Sequence, residues 1–211
     1  MRIKKVTSCN EIIDLPYVIT VDKPLNKIGI YGDSFAQLAE EVNFNKQAWE
    51  GQFEPVFNHE NTWQYFLANL LNAETHSYGV SNASLGDIAY TILNSDFDYD
   101  YYVIFHTRPL RRNVFAKIEY DATLFRKVSE FLQGKKVLNI YWDITHKIKS
   151  FGDSEYICNF HITNPNKGEM GRFNYFRKPN PLDITGSYCH MSARGNLLLA
   201  IDLHKIIAQE L

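Results

Sequence analysis

The sequence has little of the features that announce a specialised class of protein. It holds three cysteines, Cys9, Cys158 and Cys189, far apart and without paired spacing. An odd and scattered set argues against a disulfide framework, and the three read as thiols compatible with a reducing site of synthesis. Charge of one sign is not in excess either: 22 Lys and Arg oppose 24 Asp and Glu, a formal net charge of −2. That balance supplies no global pull toward nucleic acid or an anionic membrane, and neither partner is expected. Long apolar runs are missing as well. The start Met1-Arg2-Ile3-Lys4-Lys5 is basic, but no uninterrupted apolar stretch of signal-peptide or membrane-spanning length follows it. The expectation is a cytoplasmic chain as synthesised. No internal repeat or low-complexity tract breaks the composition.

What is present is ordinary globular material. Hydrophobic residues make up 45% and charged residues 22%, values that indicate neither disorder nor a fibrous repeat. A chain of 211 residues buries a proper core and fits a single domain spanning 1–211. The chain is organised around Lys27-Ile28-Gly29-Ile30-Tyr31-Gly32-Asp33-Ser34-Phe35-Ala36, where alternating apolar residues end in a tight Gly-Asp-Ser turn ahead of a helical pattern. Ser34 is expected at a strand-to-helix junction. Unpaired backbone N–H groups and the positive end of the helix dipole favour negative charge there, which serves a nucleophile; a serine at that place equally well only caps the helix.

Taken in order, residues 1–26 mix short apolar runs with Pro16 and Pro24 and suit an N-terminal arm or edge strand. Phe35, Leu38, Ala39 and Val42 recur at helical spacing, and residues 43–58 read as a loop. Asn61 or Thr62 then caps a helix carrying Trp63, Phe66, Leu67, Leu70 and Leu71. A weak strand over 75–82 leads through Ser84-Leu85-Gly86-Asp87 into a helix with Ile88, Ala89, Ile92 and Leu93. The continuous run Tyr101-Tyr102-Val103-Ile104-Phe105 predicts a central strand covered on both faces. A helix over 119–133, a stop at Gly134, a buried strand over 137–142 and a strand at 156–162 follow, with a last helix around Leu197 to Ile206. Residues 143–189, rich in Gly, Pro and Asn, form a long irregular segment of the kind that often binds a ligand. Alternating strands and helices predict an α/β fold with a parallel sheet.

In such a sheet the loops at the carboxyl ends of the strands gather on one edge, and ligands bind there. Three of these loops hold the candidate residues. The first carries Asp33 and Ser34, and the second Gly86, whose backbone N–H approaches a substrate oxygen with no side chain in the way. The third is His106-Thr107-Arg108, directly after the central strand. His190 stands at the opening of the final helix.

This constellation resembles the SGNH (GDSL-like) hydrolase family from about residue 27 to the C-terminus. The matching pieces are Gly32-Asp33-Ser34, Ser84-Leu85-Gly86-Asp87 and His190-Met191-Ser192-Ala193-Arg194-Gly195-Asn196, in the family's order and spacing; Trp63-Gln64-Tyr65-Phe66-Leu67-Ala68 looks like its usual helix. Within the family the chain looks most like small members encoded by phages, which places association with a phage particle beside the cytoplasm as a location. The resemblance implies a three-layer α/β/α domain with a central parallel sheet of about five strands in flavodoxin-like order. It further implies a serine esterase or acylhydrolase in which Ser34 attacks an ester carbonyl, His190 takes its proton, and the N–H groups of Ser34 and Gly86 hold the oxyanion. Asp33 and His106 join the list as substrate-binding residues. No cofactor is called for. The partner is a small ester or an acylated carbohydrate, and nothing fixes an oligomeric state.

Two positions depart from the family pattern. Where it has an aspartate three residues before the histidine, this chain has Ser187, which does not stabilise an imidazolium as a carboxylate does. Asp183, seven residues before His190, substitutes if the Gly186 turn folds it back, and a backbone carbonyl is the other way to orient the ring. Where the family has an oxyanion asparagine, this chain has Thr107 or Arg108. Arginine is a strong charged donor that favours an acidic substrate, although pairing with a nearby carboxylate explains it equally well. These departures leave a second reading: a binding or structural module that keeps the fold with weakened catalysis, such as a carbohydrate-binding part of a phage particle. Cys158 and His161, three apart on an expected strand, face opposite sides, and no metal site is expected from them.

Overall fold

In a computed structural model of the chain, residues 2–5, 16–33, 35–36, 59–80, 83–95, 97–106, 122–141, 151, 154–157 and 193–211 are described. Seven strands form one sheet: β1 (Arg2–Lys5), β2 (Tyr17–Thr20), β3 (Asn26–Gly32), β4 (Ala73–Gly79), β5 (Tyr101–His106), β6 (Val137–Tyr141) and β7 (Ser154–Ile157). Their spatial order is β1-β2-β4-β3-β5-β6-β7. From β4 to β7 every pairing is parallel, so the expected five-stranded parallel sheet is present in flavodoxin-like order, with β5 at its middle. The expected edge strand in the N-terminal arm becomes two strands: β2 pairs antiparallel with β4, and β1 antiparallel with β2.

Helices cover both faces. One face carries α1 (Trp63–Leu71) and α4 (Ala193–Glu210) over Ile28, Ile30, Tyr101, Val103, Phe105, Leu138 and Ile140. The other carries α2 (Leu85–Asn94) and α3 (Ala122–Phe131) over Tyr31, Tyr78, Tyr102, Ile104 and Val137. All six residues of β5 are buried, as a strand roofed on both sides requires. Thr62 is the N-cap of α1 and accepts from the Tyr65 N–H, one of the two caps expected there. Gly134, past the end of α3, has φ +75, the left-handed conformation that makes it the expected stop.

Boundaries moved in two strands. β4 starts at Ala73, where its parallel ladder with β3 opens opposite Asn26, and Glu74 and His76 within it bond to each other at 2.7 Å. β7 starts at Ser154 because the Ser154 hydroxyl donates to Glu210 at 2.6 Å, which lets a polar residue enter the layer. The helical spacing after Ser34, the 43–58 loop, most of the 143–189 segment and the Cys158–His161 pair lie outside the described residues. Among the described residues no helix is long and apolar enough to cross a membrane.

Candidate active site

Because the five parallel strands run the same way, their carboxyl ends share one edge, and three of the candidate blocks follow from it. Gly32 ends β3, the Ser84 turn follows β4, and His106 ends β5. Gly32 is required by close approach: a Cβ there would lie 2.8 Å from the Cβ atoms of Ala36 and Phe105. The chain then turns. Asp33 is fully buried; its carbonyl accepts the Ala36 N–H at 3.0 Å, and its Oδ1 accepts the Phe35 N–H at 3.0 Å. Through these two bonds Asp33 binds the described residues Phe35 and Ala36 into a turn.

The second block opens α2. Ser84 is its N-cap, with a reciprocal capping box: the Ser84 N–H donates to Asp87 Oδ2 at 2.8 Å, and the Asp87 N–H donates to Ser84 Oγ at 3.2 Å. The helix ladder begins with the Ile88 N–H on the Ser84 carbonyl at 3.0 Å. The helix itself therefore offers no acceptor to the N–H of Gly86, which lies at the positive dipole end. Such a donor is what an oxyanion needs.

The third block ends in His106, buried and stacked on Tyr141 with ring centroids 4.6 Å apart. Its Nε2 meets Asn139 Oδ1 at 2.9 Å. Asn139 is itself oriented: its Nδ2 donates to the carbonyls of Phe151 (2.6 Å) and Ser154 (3.2 Å), while its Oδ1 also accepts the Phe151 N–H at 3.2 Å. The amide oxygen is an acceptor, so His106 Nε2 carries the proton and Nδ1 presents a lone pair. That Nδ1 is buried and has no hydrogen-bond partner among the described residues. Burial pushes the His106 pKa down to about 4, against an upward pull from the Asn139 bond. A ring held neutral in this way is an acceptor and does not supply positive charge to a substrate.

Ser34, Thr107, Arg108, Asp183 and His190 lie outside the described residues. Described segments that follow two of them in the sequence, at Phe35 and on α4, are tied together. The Trp63 indole Nε1 donates to the Phe35 carbonyl at 2.8 Å, and the Trp63 backbone N–H donates to Asn196 Oδ1, on α4, at 3.1 Å. Sequence reasoning missed Asn139 and named Asn196 only as the end of the His190 block, with no role of its own. A lone Asn inside the apolar run Val137-Leu138-Asn139-Ile140-Tyr141 was a signal for the first, since a buried amide must find partners.

No protein-family model and no curated protein matches the sequence. Solved structures do match. A family two carbohydrate esterase from Clostridium thermocellum, in complex with cellohexaose, aligns with a TM-score of 0.50 at 17% identity, over 91% of this chain and 66% of that one. A carbohydrate acetylesterase family member from Sinorhizobium meliloti aligns with a TM-score of 0.50 at 12% identity, over 88% of this chain and 98% of that one. The chain has the fold of these esterases. A protein of the G-D-S-L family from Desulfitobacterium hafniense DCB-2 aligns with a TM-score of 0.48 at 12% identity, over 85% and 98%. At such identities the likeness is one of fold, and activity has to be argued from the site.

Proposed function

We propose that the chain is a serine ester hydrolase of the SGNH type acting on acylated carbohydrates, with Ser34 as nucleophile and His190 as general base. The observation that carries the reading is the shared edge: the Asp33–Ala36 turn and the open N–H of Gly86 stand at the carboxyl ends of neighbouring parallel strands. The esterase fold of the matched structures, one of them holding cellohexaose, supports the carbohydrate ester as substrate class.

In the proposed reaction Ser34 Oγ attacks the acyl carbon while its proton passes to His190. The oxyanion is met by the N–H groups of Ser34 and Gly86, with Thr107 or Arg108 as a further donor; one such donor is worth about 3–4 kcal/mol at the transition state. His190 returns the proton to the departing alkoxide as the ester C–O bond breaks, leaving an acyl-serine. Water then attacks with His190 again as base, the acyl–Oγ bond breaks, and Ser34 regains its proton. Asp183 is assigned to hold the His190 tautomer. A fluorophosphonate probe should label wild-type protein and fail on Ser34→Ala; equal labelling of both would exclude Ser34 as the nucleophile.

Ser187 in place of the family's aspartate favours a second reading, a glycan-binding module of a phage particle that keeps the fold with weakened catalysis. Hydrolysis of p-nitrophenyl acetate above background, lost in His190→Ala, argues against that reading. Silence on small esters with binding on a glycan array supports it.

A further inference from the structure

Trp63 opens α1, where the first N–H groups have no acceptor inside the helix and must find one elsewhere. The residue is 1% exposed, so its indole N–H needs a partner within the protein as well. The two donors of this one residue go to two distant segments. The indole reaches the carbonyl of Phe35, the residue after Ser34, across 28 positions of sequence. The backbone N–H reaches Asn196, six residues beyond His190, across 133 positions. Gln64 adds a long contact of 3.5 Å from its Nε2 to the same Phe35 carbonyl, weaker than the indole bond. With the Phe35 N–H already on Asp33 Oδ1, both main-chain groups of Phe35 are fixed.

We propose that Trp63 is a positioning residue that holds the turn bearing Ser34 and the helix entered just after His190 in one fixed relation. The proposal rests on the assignment of Ser34 and His190 as nucleophile and base. A serine and its base must meet within about 3 Å, and a displacement of about 1 Å costs on the order of 100-fold in rate. The two segments belong to opposite ends of the chain. Between them Trp63 bonds to both, and it lies with Phe35 and Leu67 in the buried core on the α1–α4 side of the sheet.

The test uses the full chain as wild type, Trp63→Phe, Asn196→Ala, the double variant and Asn196→Asp. Fluorophosphonate labelling rate, kcat and KM on p-nitrophenyl acetate, and Tm are measured for each. Trp63→Phe keeps an aromatic ring but loses the indole donor and some buried volume, the latter read by Tm; Asn196→Ala loses the acceptor on α4. Each is expected to lower labelling rate and kcat about 10- to 100-fold with KM within about twofold. The double variant should lose no more than about the worse single, because both cut one link. Asn196→Asp, which still accepts the Trp63 N–H, should recover most of the loss. Unchanged labelling in Trp63→Phe beside a wild type labelled at Ser34 overturns the positioning role and leaves the nucleophile standing. Losses that simply add, in step with Tm, and that Asn196→Asp does not recover also overturn it, since that is the behaviour of ordinary core packing. Labelling of Ser34→Ala equal to wild type removes the nucleophile assignment, and the positioning role falls with it.

Discussion

His106 Nε2 donates to Asn139 Oδ1 at 2.9 Å, and through that bond a strand neighbour sets which nitrogen of a fully buried imidazole holds the proton. The consequence for stability has a definite sign. The folded value of about 4 lies below the ordinary 6.5, so between them the unfolded chain binds a proton that the folded chain does not. Stability is therefore complete above pH 6.5 and is lost as pH falls toward 4, by up to roughly 3 kcal/mol from this one group. His76, also pushed down mainly by burial and pulled up by its Glu74 partner, acts in the same direction. Urea denaturation followed from pH 7 to about pH 4.5 should show the fall, and His106→Gln, which does not titrate, should flatten it. Parallel curves for the two proteins would show that His106 is not responsible.

Gly32 and Gly29 make a matched pair of glycine substitutions on one strand. Alanine at Gly32 would drive its Cβ to 2.8 Å from two other Cβ atoms and 3.0 Å from the Phe105 carbonyl, at the foot of the Ser34 turn. Alanine at Gly29 would meet the Tyr99 ring at 2.5 Å, at the middle of the strand. Each is expected to destabilise by about 1–3 kcal/mol. Only Gly32→Ala should also slow fluorophosphonate labelling of the protein that remains folded. Equal labelling rates for the two variants would detach the turn from the chemistry.

In the proposed mechanism one group must hold the His190 tautomer, and Asp183 is assigned that task in preference to Ser187. With Asp183 in that role, Asp183→Asn should cut kcat far more than Ser187→Ala; the serine-protease template sets the scale at about 10⁴ for the corresponding change. If Ser187→Ala is the damaging change, the assignment moves to Ser187. If neither matters, the site works as a Ser34–His190 dyad.

The parallel sheet was legible because each strand announces itself locally. Tyr101 to Phe105 is apolar on both faces, and the structure roofs both faces. Strand starts were harder to read where polar residues enter the layer, as Glu74 and Ser154 do, because the bonds that make them tolerable come from partners distant in sequence or only visible once folded. The same holds for the site. The turn at Asp33 and the helix start at Ser84 were readable because a turn and a capping box are made of neighbours. The link from Phe35 through Trp63 to Asn196 was not, since periodicity tells which face of a helix is apolar and never which distant group its buried donors will meet.

Tyr31 stacks on Tyr78 at 4.7 Å, and Tyr99 and Tyr102 close against Tyr31 at 6.4 and 6.2 Å, so the α2–α3 side of the sheet is floored with phenols. Burial raises the pKa of Tyr31, Tyr99 and Tyr102, and that of Tyr101 on the opposite face, above the ordinary tyrosine value. In alkali these four rings keep their protons while the sheet holds, so their share of the ultraviolet band of tyrosinate belongs to a later stage. The later stage arrives only when the sheet comes apart, and the absorbance of the chain itself then reports its own unfolding.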